Sequence, residues 1–98
     1  MSILHLVNKS PYERNSLSTC VGYVRDDDVL LLIEDGVYAA VKSGAAAAKL
    51  QGLDVSVLGP DLAARGIGED KLVDGVKVVD YNVFVDLVEA KDKVQSWL

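Results

Sequence analysis

The sequence predicts a small α/β domain: a mostly parallel, open sheet of four to five strands with helices on both faces, a three-layer, flavodoxin-like arrangement. Three observations carry this. Short apolar runs alternate with helix-period stripes along the chain, the pattern of a parallel sheet with crossover helices. The run "VLLLIE" at 29–34 is apolar at successive positions, as in a strand covered on both faces. Ninety-eight residues, half of them apolar, make one domain, spanning 1–98, able to fill a core.

Each element has its own signal. "ILHLV" at 3–7 is a short apolar run, read as the first strand, and "NKSPYERN" ends it with turn formers and a proline. From Ser16 the period changes: Leu17, Cys20, Val21 and Val24 fall at i, i+3, i+4 and i+7, the stripe of a helix. "RDDD" breaks that stripe and reads as a solvated loop, and 29–34 is the second strand. "VYAAVKSGAAAAKL" predicts a helix with Val37, Ala40, Val41, Gly44 and Ala48 on one side. Gly44 weakens it by ~1 kcal/mol relative to alanine and marks a possible break. "LDVSVL" at 53–58 is the third strand, and "GPDLAARG" a turn and short helix with Pro60 near its start and Gly66 at its end. "IGEDKLVDG" reads as loop and "VKVVD" at 76–80 as the fourth strand. Asp80 is placed to cap a helix over 81–90 that buries Val83, Phe84, Leu87 and Val88. The closing "DKVQSWL" leaves two readings, a last short strand or a segment docked on a partner.

Composition excludes several functions. Fifteen acids against ten bases give a net charge of −5, which argues against a nucleic-acid partner. No apolar run approaches the ~18 residues that span a bilayer, so no membrane role is expected. "MSILHLVNKSP" carries neither a basic leader nor a long apolar stretch, and a lone cysteine forms no internal disulfide. The expected location is the cytoplasm.

Few residues carry chemistry. Ligands of open parallel sheets bind beyond the strands' carboxyl ends. Those ends offer Asn8, Lys9 and Ser10, then Asp35 and Gly36, then Gly59, Pro60 and Asp61. None forms a phosphate cradle, and all suit turns, so no cofactor is expected. A receiver-type site fails because Asn8 and Lys9 stand where its first acids belong. A single histidine, His5, inside a strand run is better read as packed and hydrogen-bonded than as a metal ligand or hydrolytic base, and no metal is expected. Cys20 remains. Its place on the apolar stripe predicts a buried thiol. A reactive thiol needs access and a lowered pKa, for which the helix start at Ser16 and the neighbouring Lys9 and Arg14 are the available sources.

The stretches "ILHLVNKSPYERNSL", "LLLIEDGVYAAV", "VSVLGPDLAARG", "VKVVDYNVFVDLV" and "VQSWL" together resemble the DsrH/TusB family over essentially the whole chain. The resemblance implies a DsrEFH-like fold and a cytoplasmic sulfur-relay subunit. Its partners would be DsrE/TusD-like and DsrF/TusC-like sister subunits, two copies of each in a heterohexamer. Together they pass persulfide sulfur from cysteine to cysteine and on to a DsrC/TusE-like carrier. The principal acceptor cysteine of such complexes belongs to the DsrE/TusD subunit. DsrH-like members carry a first-helix cysteine, matched here by Cys20, whereas TusB-like members generally lack it. That favours the DsrH branch, and hence dissimilatory sulfur oxidation over tRNA thiolation, with Cys20 as candidate persulfide carrier. The alternative is a non-catalytic scaffold subunit in which Cys20 is structural. Trp97 then reads either as an interface anchor or as packing on its own domain.

Overall fold

The computed structural model describes residues 2–97; Met1, and Leu98 of the terminal "VQSWL", lie outside them. In chain order it runs β1 (Ile3–Val7), α1 (Ser16–Val21), β2 (Val29–Leu32), two 3-10 segments (Glu34–Ala40 and Ala45–Leu50), β3 (Val55–Leu58), α2 (Gly59–Ala64), a 3-10 turn (Glu69–Lys71), β4 (Lys77–Val79), α3 (Tyr81–Ala90) and β5 (Lys93–Trp97). The five strands form one parallel sheet in the order β4-β3-β2-β1-β5. The fold is a single small α/β domain, and the terminal segment is its fifth strand.

The topology follows from handedness. Steps β1 to β4 move one strand at a time in one direction, and right-handed crossovers put their connections on one face. The step from β4 back to β5 reverses direction across the whole sheet and takes α3 over the other face. The core divides accordingly. On the first face Val7, Leu30, Leu32 and Val57 meet Leu17, Cys20, Val37 and Leu62. On the second, Leu4, Val29 and Leu31 meet Phe84 and Leu87 of α3. Leu30, Leu31 and Leu32 are all fully buried, which confirms a central strand covered on both sides. Each contributes about 2 kcal/mol by leaving water.

Three local expectations differ from the structure. The single helix read over 37–50 is two 3-10 segments interrupted at Val41–Gly44. Val41 leaves the helical path to bridge Leu72, and Lys42 N–H bonds to the Lys71 carbonyl at 2.8 Å. Tyr12 lies against Gly44, where its hydroxyl would stand 2.1 Å from any Cβ, and that hydroxyl accepts the Ala46 N–H at 3.3 Å. Tertiary contacts, not helix propensity, set this segment. In α3, Phe84 and Leu87 pack as expected, but Val83 and Val88 are exposed, because one helix faces a sheet wider than itself. α1 has only six residues, so Val24 lies beyond its end.

Asp80 caps α3 as expected, accepting the Val83 N–H at 3.0 Å. Asp80→Ala leaves that donor to solvent and is expected to lower stability by about 1 kcal/mol in a denaturant titration. A change below ~0.3 kcal/mol would show that packing of Phe84 and Leu87 alone starts the helix.

Candidate functional site

Cys20 sits one residue before the end of α1, and its side chain points into the sheet with Leu17. It is 0% exposed. The helix is too short, and Cys20 too late in it, for the N-terminal dipole to act on the sulfur. Burial pushes the thiol up to about 12, and the negative charge of Asp28 adds to the rise. Neither Lys9 nor Arg14 offsets this. At neutral pH the sulfur is therefore held as the thiol.

Beside Cys20 lies a polar constellation that the sequence reading passed over. Asp28, the last residue of "RDDD", is buried at the foot of β2. Its carboxylate accepts the Ile3 N–H at 2.9 Å, the Arg25 N–H at 3.0 Å and the His5 Nε2–H at 2.9 Å. Burial works to raise its pKa, but the bonds from His5, Arg25 and Ile3 outweigh that and hold the carboxyl below its usual range. The other His5 nitrogen, Nδ1, accepts the Trp97 Nε1–H at 3.0 Å. Both ring nitrogens are thus occupied, as expected for a packed histidine. Tyr23 stacks on the outer side of Trp97, ring centres 5.4 Å apart. Ile3, His5, Tyr23, Arg25, Gln95 and Trp97 surround a groove of about 470 Å³ at the β5 edge. The available signal was a lone strand histidine near an acid that directly precedes the next strand.

The strand ends are knitted together structurally. Asp61 accepts the Glu34 N–H at 2.7 Å, and Arg65 bonds Asp35 at 2.9 Å. The Asp61 bond holds Glu34 in a left-handed conformation, φ 49°, that a glutamate adopts at a cost of about 1 kcal/mol. Gly36 approaches the Val7 carbonyl so closely that only glycine fits. Ser10 Oγ accepts the Tyr12 N–H, and the buried Asn8 Oδ1 has no hydrogen-bond partner among the described residues. A second hollow, about 570 Å³, lies at the opposite edge of the sheet between Leu50, Val55, Val73 and Val76, away from the strands' carboxyl ends.

A family profile described as DsrH like protein matches residues 9–94. The chain belongs to this DsrH/TusB family. Protein TusB of Pectobacterium parmentieri is 35% identical over 97 residues, covering 97% of this chain and all of its own. Protein TusB of Buchnera aphidicola subsp. Baizongia pistaciae is 33% identical over the same shares of the two chains. Among solved structures, the YchN protein of Escherichia coli superposes with a TM-score of 0.81 at 23% identity, covering 98% of both chains. A Thermotoga maritima protein does so with a TM-score of 0.68 at 23% identity, over 92% of this chain and 93% of its own. These two likenesses establish the fold, which is the one the sequence predicts. Among the described residues no helix is long and apolar enough to cross a membrane.

Proposed function

We propose that this DsrH/TusB chain is a subunit of a cytoplasmic sulfur-relay complex. Its sister subunits are DsrE/TusD-like and DsrF/TusC-like, with a DsrC/TusE-like protein as the sulfur carrier. Of the two roles open to it, the geometry favours the scaffold. The carrying observation is the sulfur of Cys20, fully buried with its thiol pushed up to about 12. Persulfide exchange runs through an accessible thiolate whose pKa lies near ambient pH. Cys20 has neither property in this conformation, whereas both suit a small apolar core residue. The chain then completes the assembly and shapes its docking face while a sister subunit's cysteine holds the sulfur. A first-helix cysteine still supports the DsrH branch as a mark of descent. Loss of sulfur oxidation, or loss of 2-thiouridine from tRNA, in a strain lacking the chain separates the two pathways.

The test is intact-mass spectrometry of the co-purified complex after loading with a persulfide donor. The expected result is added sulfur on the DsrE/TusD-like subunit and none on this chain. Cys20→Ala, which is close to a core-compatible replacement, should assemble and transfer sulfur at the wild-type rate. Sulfur on Cys20 that disappears when the carrier protein is added would overturn the scaffold reading and make Cys20 a relay station.

A further inference from the structure

We infer that His5 is a proton-controlled latch for Trp97, and through it for the edge strand β5. The inference rests on which atoms donate. The indole Nε1–H can only donate, and it points at His5 Nδ1 from 3.0 Å. Nδ1 must therefore present its lone pair, and the proton of the neutral ring sits on Nε2, facing Asp28 Oδ2 at 2.9 Å. The tautomer is fixed from both sides. A second proton can enter only at Nδ1. It would set two N–H donors head to head across the same gap, with the acceptor gone. The Asp28 side of the ring only gains, because its hydrogen bond from a neutral ring to the carboxylate becomes a full ion pair. The ring is thus held in place by Asp28 while the indole is expelled.

The other ionisable groups around the ring do not replace the lost acceptor. Cys20 lies in the same buried layer from α1 with its thiol protonated. Tyr23 and Arg25 line the groove from the segment after α1, and Lys93 occupies the same face of β5, two residues before Gln95. Arg25 and Lys93 are donors only, and the side chain of Asp28 is already fully engaged. Asp26, Asp27 and Asp92 are exposed. Trp97 is the residue at which β5 ends its pairing with β1, opposite Val7. Its release frees the end of that edge strand, unstacks Tyr23 and opens the groove between Ile3, Arg25 and Gln95. Such a device makes the β5 edge, and whatever this edge meets, responsive to acidification.

The experiment is an NMR titration of the whole chain toward acid, following the imidazole nitrogens of His5 and the indole Nε1–H of Trp97. The expected result is an indole resonance that loses its hydrogen-bonded shift at the midpoint at which Nδ1 is protonated. Protection of the β5 amides that bond to β1, corrected for the intrinsic pH dependence of exchange, should fall at least about tenfold at the same pH, as local opening predicts. His5→Gln offers one acceptor and one donor but does not titrate, so its indole signal should stay constant through that range. An indole signal that stays put while His5 titrates would overturn the latch. So would the same transition in His5→Gln, or a His5 that stays neutral until the fold is lost.

Discussion

Asp28→Ala is expected to lower stability at neutral pH by about 3–5 kcal/mol, since one buried and two part-buried donors lose their acceptor at once and a donor left unpaired costs roughly 1–3 kcal/mol, less where water reaches it. For a domain whose total stability is on the order of 5–15 kcal/mol, that is a large share. The donors belong to three separate segments: the Ile3 amide starts β1, the Arg25 amide closes the loop before β2, and the His5 ring connects to β5 through Trp97. Asp28 is therefore a point at which the first, second and last strands are tied. The penalty carries a pH signature. The folded carboxyl has a lowered pKa, so its contribution is complete above the ordinary carboxylate range and is lost as pH falls through the folded value. Denaturant titrations of wild type and variant should differ most near neutrality and converge in strong acid. A neutral-pH loss below ~1 kcal/mol would show that water replaces the carboxylate at little cost.

Gly36→Ala is the second large effect. A Cβ on Gly36 would stand 2.1 Å from the Val7 carbonyl oxygen and 2.9 Å from its carbon. These are backbone atoms at the end of β1 and cannot rotate away. The same carbonyl accepts the Ile33 N–H at 3.0 Å, continuing the β1–β2 ladder beyond its last paired residues. The alanine must push the 3-10 segment off the sheet or break that bond, and about 3 kcal/mol is expected. The matched control is Gly52→Ala, where nothing lies within 4 Å of a built Cβ. There only the positive φ of 80° is strained, so the loss should be smaller, about 1 kcal/mol. Equal melting shifts for the two variants would rule out the close approach as the cause.

What the sequence disclosed, and what it withheld, divides along local and non-local lines. The strand runs 3–7, 29–34 and 53–58 and the Asp80 cap are local signals, and each appears where its residues place it, the first strand unchanged and the other two shorter by two residues at one end. The stripe through Leu17 and Cys20 told correctly which side of α1 is buried. The fate of 37–50 was not legible, because the bridge from Val41 to Leu72 and the contact of Tyr12 with Gly44 join segments about 30 residues apart. The same holds for Asp28. A run of three aspartates looks like a solvated loop, and only the arrival of His5 and two backbone amides distinguishes the third from its neighbours. Cys20 had two readings at the sequence level because helical phase gives its direction but neither its depth nor the sign of the field around it. Burial is the larger cause of its raised pKa and the charge of Asp28 the smaller, and helical phase reveals neither.

The pairing of β1 with β5 has a further consequence, in time. Ile3 lies opposite Lys93 in the sheet, so the outer edge of the first strand waits for residues made about 90 positions later. At ordinary synthesis rates of roughly 5–20 residues per second, that interval is several seconds at least. Over it β2, β3 and β4 are made in turn while the β1 edge, with Leu4 and Leu6 beside it, remains open. An unpaired strand edge of this kind is a template for misplaced pairing. Until β5 pairs, the folding chain thus carries an edge open to mispairing, and the arrival of β5 closes it.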